Sequence, residues 1–263
     1  MSNSTDKARL RAVAQKGARC LLVKSSLTPR LDLSDKELFC LVRMHLGASL
    51  CPAELLPKTC ACGRPLNSLP VNHLLTCDKA AAVGRVRSHN IIRDALVVVA
   101  AKCGCQVSKE VKFRGFDCIP DVVITTPQGQ TVLVDVSAVQ SDASSYADKA
   151  AGAALAKRER DKTTKFKALA AELGATFCPF AVDRYGGFGQ QAVQLIKELI
   201  KYATEHSIHV SGGEPHPRYL VWAQMNKALH KGNVCLIRTA LMKCGVAGLE
   251  RAWFAPVHHV AGG

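Results

Sequence analysis

Aromatic side chains are scarce in this sequence. They make up 5% of the 263 residues, and tryptophan occurs only twice. A core must therefore be mostly aliphatic, and an apolar content of 48% is enough to build one, as one large domain or two small ones. Acidic residues are also in the minority, 21 against 35 lysines and arginines, which leaves a net charge of +14. An excess of that size favours an anionic partner, most commonly nucleic acid; the bland alternative is a basic protein that is merely soluble. No run of eighteen apolar residues occurs, so no membrane span is expected. The first twenty residues are polar and basic and lack an apolar signal core. They predict a poorly ordered start and no secretion. In that setting the twelve cysteines read as reduced thiols or metal ligands rather than a disulfide framework.

The chain reads as alternating helices and strands. Ser34 with Glu37 forms a capping box for a helix over Asp35 to about Leu46, with Leu38, Leu41, Val42 and Leu46 at helical spacing and Gly47 as its stop. A helix is predicted over Arg85 to Ala101, a strand over Gln106 to Phe113, a hairpin over Cys118 to Ser137, and a long helix over Asp148 to Leu173. A strand over Thr176 to Val182 follows; Pro179 inside it marks a sheet edge or a strand end. After a Tyr185-Gly186-Gly187 turn comes a helix over Gln190 to Glu205. Ser211 to Pro217 marks a break, and Arg218 to Gly245 reads as one or two further helices. Helix, three strands, helix, strand, helix is an α/β pattern with no internal repeat.

Two stretches carry chemistry. Cys60, Cys62, His73 and Cys77 are spaced C-x-C-x10-H-x3-C. Two close ligands, a Gly/Pro loop and two ligands a helical turn apart can close four donors around Zn²⁺, and Gly63 allows the tight turn after the first pair. Cys51 is a substitute ligand, and the alternative is four unrelated residues in a Cys-rich chain. Cys103-Gly-Cys105 has no nearby histidine and reads as structural.

The second stretch is the hairpin. Its midpoint is Gln128, so Asp121 and Asp135 lie opposite one another, with Cβ atoms roughly 4.5–5.5 Å apart. Two carboxylates that close repel unless a cation sits between them, and a hard divalent ion such as Mg²⁺ fills that role. The alternative is two aspartates that end strands and face water. On the long helix, Leu155, Phe166, Leu169 and Leu173 share one narrow arc at 100° per residue, and Lys162 falls inside it. A lysine there needs a partner, a function, or a route to solvent along the helix flank. Lys165 and Arg158 sit at the edge of that arc. Arg85, Arg87 and His89 open the earlier helix and could meet phosphates; a solvated helix start explains them as well.

Taken in order, these residues resemble the restriction-enzyme-like, PD-(D/E)xK endonuclease region of site-specific non-LTR retrotransposon polyproteins. The matching residues are Cys60, Cys62, His73 and Cys77; Arg85 and His89; Glu110; Pro120-Asp121 with Asp135; Lys162, Lys165 and Phe166; Pro179-Phe180; and Tyr185-Gly186-Gly187. Ser137 stands where many PD-(D/E)xK members carry lysine, and the retrotransposon branch supplies its lysine from the following helix. No reverse-transcriptase Tyr-x-Asp-Asp strand is present.

The resemblance implies an αβββαβα core with a small N-terminal zinc knuckle and a C-terminal helical extension. The divisions are 1–50 (linker and helix), 51–84 (knuckle), 85–210 (nuclease core) and 211–263 (extension). It implies a DNA endonuclease that nicks its target with Mg²⁺ or Mn²⁺ held by Asp121, Asp135 and Glu110. Lys162 and Lys165 would be catalytic, Zn²⁺ structural, and Arg85, Arg87, His89 and Arg158 DNA contacts. Target duplex is the expected partner, with element RNA, a reverse-transcriptase domain and a second copy as further candidates, and the nucleus the expected location. The rivals are a nucleic-acid-binding remnant with an inactive core, and a zinc-stabilised interaction domain.

Overall fold

The computed structural model describes residues 4–15, 32–48, 57–66, 73–146, 148–205 and 217–246. Cys51 and most of the Ser211–Pro217 break lie outside them. The elements are α1 (Ser4–Val13), α2 (Asp35–Leu46), α3 (His73–Thr76), α4 (Asp78–Lys102), β1 (Gln106–Lys109), β2 (Val122–Thr125), β3 (Thr131–Val139), α5 (Ala153–Glu172), β4 (Thr176–Asp183), α6 (Gln190–Glu205) and α7 (Pro217–Lys243).

The fold is mixed α/β. One four-stranded sheet has the order β1-β2-β3-β4, antiparallel through the first three strands, with β4 parallel to β3. Antiparallel neighbours need only a turn, whereas the parallel pair needs a crossover, which α5 supplies. β4 is an edge strand, where Pro179 costs no ladder bond on the open side.

Alternation along β3 sorts the layers. Val132, Val134 and Val136 face a large core shared with Ile92, Leu96 and Val99 of α4, Leu195, Ile196 and Leu199 of α6, and Met225 and Leu229 of α7. Leu133 faces the other way and packs with Phe166 and Leu169 of α5; Val139 packs with Ala154 and Leu155. Asp135 has the parity of Leu133, so it points at α5.

A second core lies at one end of the molecule. It joins Cys40, Leu41 and Met44 of α2, the knuckle residues Cys60, Leu66, Leu74, Leu75 and Cys77, the start of α4, and Leu236 to Leu241 of α7. Linker helix, knuckle and C-terminal extension thus share one apolar cluster. α4 and α7 cross closely at two glycines. A Cβ on Gly84 would meet the Leu236 backbone at 3.0 Å, and one on Gly232 would crowd Ser88.

Several elements differ from expectation. The polar N-terminus forms α1, because Ala8 and Ala12 find a surface to bury against. In α2, Val42 and Leu46 face out, while Cys40 and Met44 are buried beside Leu41. α4 begins at Asp78 rather than Arg85, directly after the last knuckle cysteine. β1 stops at Lys109 because Glu110 turns left-handed at φ 51. α5 begins at Ala153, after Gly152 at φ 81 breaks the chain's approach. Leu173 falls just past α5 and is 40% exposed, so the arc is shorter than the sequence implied. Pro217 opens α7, and Arg218 to Lys243 is one helix, held by its match to α4.

Candidate metal centre and carboxylate site

Cys60, Cys62, His73 and Cys77 converge. Their donor atoms all lie within 4.8 Å of one another, close enough to coordinate one metal ion. Cys60 Sγ is 3.6 Å from Cys77 Sγ, and Cys62 Sγ is 3.4 Å from His73 Nε2. A zinc tetrahedron with bonds near 2.3 Å has sulfur–sulfur edges of about 3.7 Å, so the spacing fits.

Local structure explains the convergence. Cys60 N donates to Arg64 O and Gly63 N to Cys60 O, and Gly63 takes φ 84 to close the turn. His73 and Cys77 bracket α3, and Cys77 N donates to His73 O. Cys60 and Cys77 are buried, while Cys62 and His73 are partly open. Burial pushes the Cys60 thiol up to about 12, so a metal binding there displaces a proton. The backbone N–H of Arg64 pulls the Cys62 thiol down.

The second site sits where β2 begins. The ladder pairs Val122 with Val134, so Asp121, one residue outward, stands across from Asp135. Asp121 Oδ2 accepts from Val136 N at 2.6 Å, and its Oδ1 lies 3.1 Å from His89 Nε2. Asp135 is 5% exposed and meets Lys162 Nζ at 3.0 Å through Oδ1 and 2.8 Å through Oδ2. The Oδ2 contact has the geometry of an ion pair rather than a hydrogen bond. Burial raises the Asp135 carboxyl above its ordinary value. Lys162 and Lys165 oppose that shift and Asp121 adds to it.

α4 supplies a row of bases at intervals of four residues, which places them on one face. Arg85 bonds Asp78 and Thr76 O, His89 bonds Asp121, and Arg93 bonds Asp94 and Glu110. His89, which the resemblance makes a DNA contact, lies against the Asp121 carboxylate. Its hydrogen bond to Asp121 raises its pKa against the effect of burial. Glu110, expected on a strand beside the two aspartates, lies past β1; its N–H donates to Asp121 O while its carboxylate pairs with Arg93 at 2.6 Å. Arg87, Arg158 and Lys165 are exposed, and Lys165 Nζ lies 5.4 Å from the centroid of the Phe166 ring. Cys103 and Cys105 are buried in the main core.

Sequence reasoning missed a buried network behind the site. Ser141 donates to Asp183, Tyr185 to Asp142, and Arg184 to Ser88 and Asn233. Burial pushes Asp183 up to about 6. The network fixes the Tyr-Gly-Gly turn against the loop after β3 and against α4 and α7. Of its members only Tyr185 falls in a motif; the other signal was the unassigned charge in Asp183-Arg184 before the turn. No family model and no curated protein sequence matches the chain.

Proposed function

We propose that this chain is a zinc-stabilised nucleic-acid-binding protein with a restriction-endonuclease-like core, and that Asp121, Asp135 and Lys162 hydrolyse a DNA phosphodiester. The binding half draws support from the Cys/His cluster, the mixed α/β domain and the net charge of +14. Zn²⁺ suits the three thiolates and one imidazole, and its role there is structural, since four protein donors leave no open position.

The catalytic half rests on one observation: two acids face each other across a ladder with a partly buried lysine on one of them. The residues fit a divalent ion. Two carboxylates offer hard oxygen donors, and Ser137 Oγ, on the same face of β3, is buried without a hydrogen-bond partner. Asp121 and Asp135 would hold Mg²⁺ or Mn²⁺, with Glu110 outside the set. The chemistry such an ion would supply there is positive charge against the scissile phosphate and a lowered pKa for a water. Lys162 would then orient the attacking water or offset charge on the phosphate, and exposed Lys165 and Arg158 would contact neighbouring phosphates. His89 would hold Asp121 in place.

A specific observation favours the second reading, a binding protein without activity. The Asp121 oxygens are engaged by His89 and Val136 N, and the Asp135 carboxylate by Lys162, so both carboxylates already have partners within the protein. Nicking of supercoiled plasmid in Mg²⁺, Mn²⁺ or EDTA, with Asp121→Ala and Asp135→Ala beside it, separates the two. Metal-dependent nicking lost in both variants supports the nuclease. DNA binding without nicking by zinc-loaded protein supports the inactive reading.

A further inference from the structure

The metal centre has a further sulfur beside it. Cys244 follows directly on α7, and its N–H donates to Ala240 O and Leu241 O, which holds it at the helix end. Its Sγ lies 3.9 Å from Cys60 Sγ, nearly the 3.6 Å that separates Cys60 from Cys77. Sulfurs about 3.7 Å apart can share one zinc ion. Cys244 is also part of the apolar cluster that surrounds the knuckle. The four motif donors divide into a buried pair, Cys60 and Cys77, and a more open pair, Cys62 and His73. Cys244, itself partly buried, adds a further thiol beside Cys60. His73 is carried by a helix of only four residues, whereas Cys244 is carried by α7, which packs along α4.

We propose that Cys244 is a fifth donor of this centre and takes the fourth coordination position when His73 is lost, closing an all-thiolate site around the same zinc ion. This rests on the reading of the cluster as a zinc centre. In the exchange, the metal–Nε2 bond to His73 breaks, the metal–Sγ bond to Cys244 forms, and the Cys244 proton goes to solvent; nothing is oxidised or reduced. The site would then join the knuckle directly to the end of α7, so that the metal fastens the N-terminal and C-terminal parts of the second core to each other.

Cobalt titration of the full chain tests this, because thiolate-to-cobalt charge-transfer absorption scales with the number of bound sulfurs. The wild-type chain should bind one Co²⁺ with three sulfurs. His73→Ala should still bind one, with charge-transfer intensity higher by about one third, for four thiolates against three. Cys244→Ala alone should match wild type, and the double variant should lose both the added intensity and much of the affinity. His73→Cys provides the four-sulfur reference spectrum. The proposal is overturned if His73→Ala and the double variant behave alike, or if His73→Ala fails to fold, since Cys244 was present to close the site. A wild-type chain that takes up no cobalt removes the metal centre itself, and this inference with it.

Discussion

Lys162 and Asp135 stand 27 residues apart in the chain and 2.8 Å apart in the fold. The lysine comes from the buried stripe of α5 and the aspartate from the face of β3 that α5 covers. Desolvation makes such a pair costly to break and of little net value to stability when whole. Stability alone therefore gives this pair little reason to be there, and it fits the catalytic task proposed for it.

Removing one partner should expose this imbalance. Lys162→Ala leaves a buried carboxylate without its cation and should cost about 2 kcal/mol, discounted for the partial exposure of the lysine. Asp135→Asn removes the charge that burial disfavours and should leave stability equal or higher while abolishing any nicking. Urea denaturation beside the plasmid assay checks both; an Asp135→Asn chain much less stable than wild type would contradict the assignment.

The His89–Asp121 pair gives stability a pH dependence. The His89 pKa is raised above 6.5 in the fold. Its contribution is full below that value and is lost as pH rises through the folded pKa. The stability gap between wild type and His89→Gln should thus be larger at about pH 5.5 than at about pH 8.5.

A second histidine acts in the opposite direction. His230 is fully buried on α7, its ring 5.7 Å from His45, and burial pulls its pKa from 6.5 down to about 3. The unfolded chain binds the proton first, so this contribution is lost as pH falls below 6.5. By pH 5 it should have cost about 2 kcal/mol. His230→Leu should flatten that part of the urea-midpoint profile between pH 7 and pH 5, leaving the smaller share from His45.

Chelation should act on the second core first. Without a metal at the Cys60, Cys62, His73 and Cys77 cluster, Cys60 and Cys77 would no longer tie the knuckle together, and Leu236, Ile237 and Leu241 would lose part of their cover. A fall in Tm of about 10 °C is expected, and amide exchange should quicken in α2 and the end of α7 before the sheet.

Nucleic-acid binding, if it follows the charge, must weaken with salt. Log K against log[salt] should fall linearly, and Arg158→Ala with Lys165→Ala should reduce the slope by about 0.9 for each phosphate contact removed. A salt-independent affinity would point instead to an interaction domain for another kind of partner.

Local signals proved legible where one segment settles its own structure. The capping box and Gly47 fixed α2 to the residue, since Ser34 accepts from Glu37 N and Gly47 takes φ 69. The turn centred on Gln128 fixed the hairpin register, because a hairpin has one midpoint and strands alternate with period two. The knuckle spacing was equally local. Boundaries went astray where the deciding partner is distant. Ala8 and Ala12 needed a surface, Val42 and Leu46 faced out because α7 covers the other side of α2, and Glu110 turned toward Arg93 of α4.

By itself, then, the sequence determined the four-donor spacing, the opposed aspartates and the order of helices and strands from α4 to α6, all of which depend on contacts within a few turns of chain. Only the tertiary structure decided which base each acid meets. His89 goes to Asp121, Lys162 to Asp135 and Arg93 to Glu110, because those pairings depend on which helix face meets which sheet face. It alone brought Cys244 to Cys60 across 184 residues, a contact set by the packing of α7 along α4.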